Sequence, residues 1–204
     1  MELINRYFPE LTSIQSTQYT ALYELYREWN QKINVISRKD MDQFYCHHVA
    51  HSLAIAKFIQ FPENSKVMDI GTGGGFPGIP LAILYPDSHF HLVDSIRKKT
   101  RVVEEISNSI GLKNITITND RFENINEKHD FIVSRAVAPA LKLFNMTKNA
   151  IKPNGQHWLI KGGDLKQEKN DLISQYPALK WQSFDINSIY TEDFFNTKKV
   201  INLY

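Results

Sequence analysis

The amino-acid sequence predicts an α/β fold: a seven-stranded, mostly parallel sheet with antiparallel C-terminal strands and an N-terminal helical extension. Three observations carry this. A strand-like run ends in a glycine-crowded turn, V-M-D-I-G-T-G-G-G-F-P-G at Val67–Gly78, and a helix-like stretch, Ile79–Tyr85, follows it. The next apolar run, H-F-H-L-V-D, closes on Asp94. From Lys66 onward strand-like and helix-like segments alternate, the pattern of a parallel sheet covered on both faces.

The elements follow in order. Residues 1–62 form the helical extension. Tyr19, Leu22, Tyr23, Tyr26, Trp29 and Ile33 recur at steps of three and four, a one-faced helical pattern. A second helix runs from Met41 to Ile59, with Phe44, Tyr45, Val49, Leu53 and Ile55 among its apolar positions and Ser37–Asp40 as the joint before it. Pro62-Glu63-Asn64-Ser65 is a turn cluster. It opens the α/β part, residues 63–204, and the two parts are expected to form one compact unit. Strands are expected at Lys66–Ile70, Phe90–Asp94, Ile115–Thr118, Phe131–Ser134 and His157–Lys161. Helices lie between them, including Lys98–Ile110, ended by Gly111, and Leu141–Ile151, stopped by Lys152-Pro153-Asn154-Gly155. Two further strand-like runs, Lys180–Ile186 and Lys198–Tyr204, give the antiparallel finish.

Composition narrows the function classes. A chain of 204 residues accommodates one α/β domain and its appended helices without covalent staples. Twenty-four basic and 22 acidic residues leave a formal charge of +2, so local patches decide whether nucleic acid is a partner. Cys46 is the only cysteine, which excludes an intrachain disulfide and a cysteine metal cluster. The N-terminus lacks the pattern of a secretory signal, and no apolar run is long enough to span a bilayer. The expectation is a cytoplasmic protein with no membrane partner.

The glycine turn suggests the cofactor. Gly73, Gly75 and Gly78 spell the general dinucleotide pattern, a weak match. The longer match is D-x-G-x-G-x-G at Asp69, Gly71, Gly73 and Gly75. An acid two residues before the first glycine is the loop of the class I S-adenosylmethionine (SAM)-dependent methyltransferase fold, which is Rossmann-like. SAM has no pyrophosphate, so glycines here serve close approach of the backbone to the ligand. Asp94, at the end of the second strand, is spaced to accept from both ribose hydroxyls. Gly71, Gly73, Gly75 and Asp94 are therefore cofactor-binding candidates. A ligand-free turn is the competing reading, and the independent spacing of Asp94 weighs against it.

Ligands of open α/β sheets bind beyond the carboxyl ends of the strands. After the third strand comes N-D-R-F-E, Asn119–Glu123. Phe122 there serves either as a stacking surface for adenine or as core. After the fourth comes S-R-A-V-A, with Arg135 suited to a carboxylate, a phosphate or a guanine edge, or to a loop-propping salt bridge. The Asn/Asp-Pro-Pro-aromatic run of exocyclic-amine methylation is absent. The thiolate that pyrimidine C5 chemistry requires is also missing, since Cys46 lies far from any strand end. His47, His48 and His51 cluster on a helix, more in keeping with a surface or substrate-facing helix than with a metal site. Arg97, Lys98, Lys99 and Arg101 form a basic run after Asp94, either a solvated helix face or a phosphate-binding edge.

These motifs together resemble a known family. D-I-G-T-G-G-G-F-P-G-I-P-L-A-I, L-V-D-S followed by the basic run, S-R-A-V-A, K-P-N-G and K-G-G are similar to the RsmG (GidB) family, bacterial 16S ribosomal RNA guanine-N7 methyltransferases. The resemblance runs from about Asn30 to Gly163. It implies cofactor contacts at Gly71, Phe76, Phe122, Glu123 and Arg135, with Arg135 also the candidate for positioning the reacting groups. It implies SAM as cofactor, no metal, and 16S ribosomal RNA as partner, within or during assembly of the small subunit, acted on by a monomer. At one position the chain departs from the family: His51 stands where an Asp precedes the Ser of the H-x-x-D-S segment.

The chemistry agrees with the missing base. Guanine N7 offers a lone pair and no proton, so in-line attack on a sulfonium methyl needs positioning rather than deprotonation. A SAM-dependent methyltransferase with a small-molecule or protein substrate is the alternative. A nicotinamide reductase lacks its Tyr-x-x-x-Lys here, and a non-catalytic RNA-binding module leaves the intact glycine loop unexplained.

Overall fold

The computed structural model describes residues 1–204, with every side chain except that of Arg38. Its seven strands lie in the order β3-β2-β1-β4-β5-β7-β6. They are β1 Lys66–Ile70, β2 His89–Val93, β3 Ile115–Thr118, β4 His129–Arg135, β5 Ile151–Gly162, β6 Trp181–Asp185 and β7 Lys198–Leu203. The first five are parallel, and β7 runs antiparallel to both β5 and β6. Strand order reverses at β1, which has β2 on one side and β4 on the other. That reversal opens a crevice at the carboxyl ends of β1, β2 and β4.

β1 shows how the sheet divides the core. Val67 packs into one hydrophobic cluster, while Met68 and Ile70 join another. The residues of a strand alternate between faces, so a strand buried on both sides reads as a continuous apolar run. The first cluster is covered by α1 Glu2–Tyr7, α2 Ser13–Lys32, the helical run that follows, α4 Gly78–Leu84 and α5 Arg97–Ser109. The second is covered by α6 Ala140–Thr147 and α7 Lys166–Gln175. Residues on both sides of the 62/63 boundary belong to the first cluster, from Ile4 and Tyr26 to Val67 and Phe90.

Thr12 and Gln15 start α2 with a capping box: Thr12 Oγ1 accepts from Gln15 N–H at 3.3 Å, and Gln15 Oε1 accepts from Thr12 N–H at 2.9 Å. Tyr19, Leu22, Tyr26 and Asn30 form its buried stripe. Two of these side chains reach past the packing surface. Tyr19 Oη donates to the Pro80 carbonyl at 2.7 Å, and Tyr26 Oη to the Gly74 carbonyl.

The structure departs from the sequence reading at three places. The expected helix over Met41–Ile59 is a helical run of changing pitch. It passes from 3-10 turns (Arg38–Gln43) through a π segment (Tyr45–Ala50) and α3 His51–Leu53 to a 3-10 turn (Ala54–Lys57). Apolar residues at steps of three and four mark a buried stripe without distinguishing these pitches. The helix expected over Leu141–Ile151 ends at Thr147. Lys152-Pro153-Asn154-Gly155 then lies inside β5, where pairing with β4 jumps from His129↔Ile151 to Phe131↔Gln156. Pro153 has no N–H to donate and Asn154 has φ +63°, so both are accommodated where the ladder is interrupted.

Candidate functional site

β1 delivers Asp69 and the glycine loop to the crevice. Asp69 is fully buried, and its Oδ2 accepts from Thr72 Oγ1 at 2.6 Å and from Gly78 N–H at 2.8 Å. One carboxylate oxygen thus holds both ends of the loop. Burial pushes the Asp69 carboxyl up to about 7, against the two hydrogen bonds and the positive charge of Arg135.

Two glycines in this loop show why the sequence needs them. Gly71 has φ +63°, and a Cβ there would lie 2.7 Å from Val137 Cγ2. Gly73 has φ +59°, yet a Cβ there would meet nothing closer than the Gly71 carbonyl at 3.9 Å. The first is closed by protein; the second faces open space, where a ligand can approach the backbone. Gly75 instead packs against Ile79 and Tyr26.

β2 ends one residue before Asp94, which is almost wholly buried. Its Oδ2 accepts from Gly73 N–H and its Oδ1 from Ile96 N–H, both at 2.8 Å. The Asn119 amide donates to the Asp94 carbonyl at 3.0 Å, linking the end of β3. Each carboxylate oxygen keeps a further lone pair toward the crevice.

Gly71, Asp94, Phe122, Glu123 and Arg135 line one cavity of about 510 Å³. Five sequence candidates therefore meet in space. The volume suits a nucleoside-sized ligand. Ile96 and Val137, 41% and 37% exposed, supply apolar walls, and Ser95 and Lys99 also line it. Of these four, only Lys99 was singled out in the sequence, as part of the basic run and not as a cofactor contact. The signal for Ile96 was an apolar residue between Ser95 and the basic run, with no helical stripe to explain it. Phe122 both lines the cavity and packs against the second core cluster.

Phe76, which the resemblance names as a cofactor contact, is not brought into the cavity lining. Its ring is buried beside Tyr26, with centroids 4.9 Å apart, and does not line the cavity. It carries Arg135 instead, whose guanidinium carbon sits 4.9 Å from the ring centroid. Gly73 and Gly75 likewise lie outside the lining, Gly73 acting through its N–H to Asp94.

Arg135 ends β4. It donates to the His47 carbonyl at 3.2 Å and lies 3.3 Å from His48 Nδ1. Among the described residues no carboxylate is within ion-pair range of it. The salt bridge that was one sequence reading of Arg135 is thus not what holds it. Burial lowers its affinity for the proton to about 10, still fully charged at neutral pH. The charge is held by neutral groups and by an aromatic face, which leaves it available to an anion in the cavity.

The three clustered histidines pack against aromatic rings, His48 beside Phe76. His47 stacks on Phe194 with centroids 3.9 Å apart and approaches Asp40 at 3.2 Å. His51 packs edge-on to Phe194 and Phe195. Burial and the Arg135 charge hold His48 down at about 3, hence neutral.

The basic run divides. Lys99 lines the cavity beside Asp94, while Arg97, Lys98 and Arg101 line a neighbouring open groove of about 740 Å³, together with Ile33, Asn119 and the carboxylates Glu104 and Glu105. None of the four is in an ion pair among the described residues. The Arg38 side chain, an alternative basic anchor on the N-terminal helices beside Lys39, lies outside the described residues.

Known proteins resemble this chain over most of its length. The family model described as rRNA small subunit methyltransferase G matches residues 15–194. A ribosomal RNA small subunit methyltransferase G of Phocaeicola vulgatus is 52% identical over 208 residues, covering 98% of this chain and 97% of that protein. One from Bacteroides fragilis is 51% identical over 207 residues, covering 98% of each. Among solved structures, a SAM-dependent methyltransferase from Aquifex aeolicus superposes with a TM-score of 0.57 at 17% identity, over 74% of this chain and 88% of that one, a likeness of fold.

Proposed function

Because the chain belongs to the rRNA small subunit methyltransferase G family, we propose that it methylates N7 of a guanine in 16S ribosomal RNA, using SAM. The fold is that of class I SAM-dependent methyltransferases, and the enzyme is an rRNA methyltransferase. The observation that carries the reading is the cavity between Asp94 and Arg135, lined by Gly71 of the glycine loop.

SAM supplies an electrophilic methyl group on a sulfonium sulfur. The residues present fit it. Asp94 has lone pairs for the ribose hydroxyls, and Phe122, Ile96 and Val137 offer apolar surface for the adenine. Arg135 supplies an unpaired positive charge for the methionine carboxylate. Asp69 holds the loop without touching the cavity.

Guanine N7 needs no proton removed, and the ring becomes cationic as the sulfonium charge is lost. The work of the site is orientation and exclusion of water, and holding two reactants in line can supply about 7–11 kcal/mol of the barrier. The groove of Arg97, Lys98 and Arg101 beside the cavity provides cations for the RNA backbone. The reading includes a cytoplasmic monomer acting on the small subunit or its RNA during assembly. No helix is long and apolar enough to cross a membrane.

The test incubates the protein with methyl-labelled SAM and either small ribosomal subunits or their RNA, then maps the label. N7-methylguanosine in the 16S RNA is expected. Label on another atom, or transfer only to a protein or small molecule, would replace the substrate assignment.

A further inference from the structure

On one face of the sheet two histidines and a glutamate converge. His91 lies on β2, two residues before Val93 and so on the same face of the sheet. His129 opens β4, and Glu127 precedes it. In sequence these residues are 38 and 36 positions apart, with no motif to join them. The topology does so, because β2 and β4 flank β1.

The facing nitrogens, His91 Nδ1 and His129 Nε2, are 3.2 Å apart. A tetrahedral zinc ion with bonds of about 2.0–2.1 Å to nitrogen would hold two imidazoles about 3.3 Å apart, nitrogen to nitrogen. The opposite nitrogen of His91, Nε2, is 2.8 Å from Thr118 Oγ1. A proton on that nitrogen leaves the Nδ1 lone pair pointing at His129, and an outer hydrogen bond of this kind orients a metal-bound imidazole. His129 Nδ1 is buried without a hydrogen-bond partner. The chain therefore spends two nearly buried rings on each other where two apolar residues would pack without an unpaired polar atom.

Glu127 completes the set. One donor atom from each of the three residues lies within 4.8 Å of the others. Its side chain is half exposed and now pairs with Lys66 Nζ at 2.5 Å, so it has freedom to close the remaining gap and a cation to leave behind. We propose that His91, His129 and Glu127 form a binding site for a divalent transition-metal ion, with Zn²⁺ best suited to two imidazoles and one carboxylate. Water takes the fourth position. The ion ties β2 to β4 across β1; none of its three ligands lines the methyl-transfer cavity, and no step of that reaction passes through it.

The experiment uses the full chain, freed of metal by chelator and titrated with Zn²⁺ alone against a chromophoric indicator. Co²⁺ serves as a spectroscopic substitute. One ion per chain, intense visible Co²⁺ bands of a tetrahedral site and a rise in thermal midpoint with Zn²⁺ are expected. Glu127→Gln, on an exposed side chain that the fold does not need, should weaken binding at least tenfold, about the least that a lost outer-shell contact already costs. His91→Gln should abolish the Co²⁺ bands. Failure of the wild type to bind, or equal affinity in wild type and Glu127→Gln, overturns the site. Loss of binding in His47→Ala instead would move the ion to the N-terminal histidines and overturn it equally.

Discussion

The backbone N–H of Gly73 donates to Asp94 Oδ2 at 2.8 Å, joining the loop after β1 to the end of β2. The residue we propose for the ribose thus also sets the shape of the glycine loop. Asp94 Oδ1 does the same for Ile96, whose side chain is an exposed wall of the cavity. On the proposed function, cofactor affinity and loop geometry are coupled through one carboxylate.

Asp94→Ala should lower SAM affinity by about ten- to a hundredfold, because hydrogen bonds to a charged group contribute about 1.5–3 kcal/mol. It should also loosen Gly73 and Ile96, whose N–H groups lose their acceptor. Titration calorimetry with SAM reads the first effect, and faster amide exchange at positions 73 and 96 reads the second. An unchanged dissociation constant in a folded variant removes Asp94 from the cofactor site.

Gly73→Val should fold with a modest loss of stability and fail to bind SAM. The left-handed backbone costs a side chain about 1–2 kcal/mol, and a β-branched residue tolerates it least. Nothing in the protein blocks the new side chain, since a Cβ there has 3.9 Å of clearance. The blocked partner is the ligand. A folded variant that binds SAM normally would show that the loop is only a turn.

Asp69 gives a pH prediction. Its carboxyl is raised from 3.8 to about 7 by burial. Between those values the unfolded chain has released a proton that the folded chain retains, so this group's contribution to stability falls as pH rises through that window and levels off above it. The slope is about 1.4 kcal/mol for each pH unit within the window. Asp69→Asn keeps an oxygen to accept from Thr72 and Gly78 and cannot ionise. Urea unfolding at several pH values between 4 and 8 should show a flatter profile for the variant. Parallel profiles would mean that Asp69 ionises in the fold as freely as in the unfolded chain.

Arg135→Ala separates two roles. Loss of the methionine carboxylate partner should weaken SAM binding, and loss of an RNA partner should lower turnover at unchanged SAM affinity. Arg135 also donates to the His47 carbonyl, so part of the effect is a looser junction between β4 and the π segment. Arg135→Lys keeps the charge without the fork. If lysine restores SAM affinity, charge is what the cavity requires. Wild-type affinity and turnover in both variants would confine Arg135 to holding that junction.

What the sequence disclosed depended on distance along the chain. β1 to β3 and the paired tail strands were readable because buried strands are short apolar runs between turn residues, and the match at β3, Ile115–Thr118, is complete. The lower part of β5 was hidden because Pro153 and Gly155 signal a stop. Only pairing with β4 shows that they interrupt a ladder rather than end a helix. In the site, Gly71 and Asp94 were visible from local spacing. The burial of Phe76 under Arg135 was not, since it depends on Tyr26, fifty residues upstream. Val137 was invisible for the same reason: its role is to meet Gly71 from the loop that follows β4.

RNA binding should fall steeply with salt and depend on Lys98 and Arg101. Both line the groove beside the cofactor cavity and neither is in an ion pair among the described residues. Lys99 is excluded from the test because it faces the cofactor cavity itself. Each neutralised phosphate contributes about 0.7–0.9 to the slope of log affinity against log salt. Replacing Lys98 and Arg101 together with Gln should therefore reduce that slope by about 1.4–1.8 if each meets one phosphate. SAM affinity should stay at the wild-type value, because neither residue lines the cofactor cavity. Filter binding to small-subunit RNA across a salt series gives the slope directly. A solvated helix face would still attract RNA weakly, so weaker binding alone does not decide the matter. An unaltered slope places the RNA surface elsewhere, on the N-terminal helices that carry Lys39.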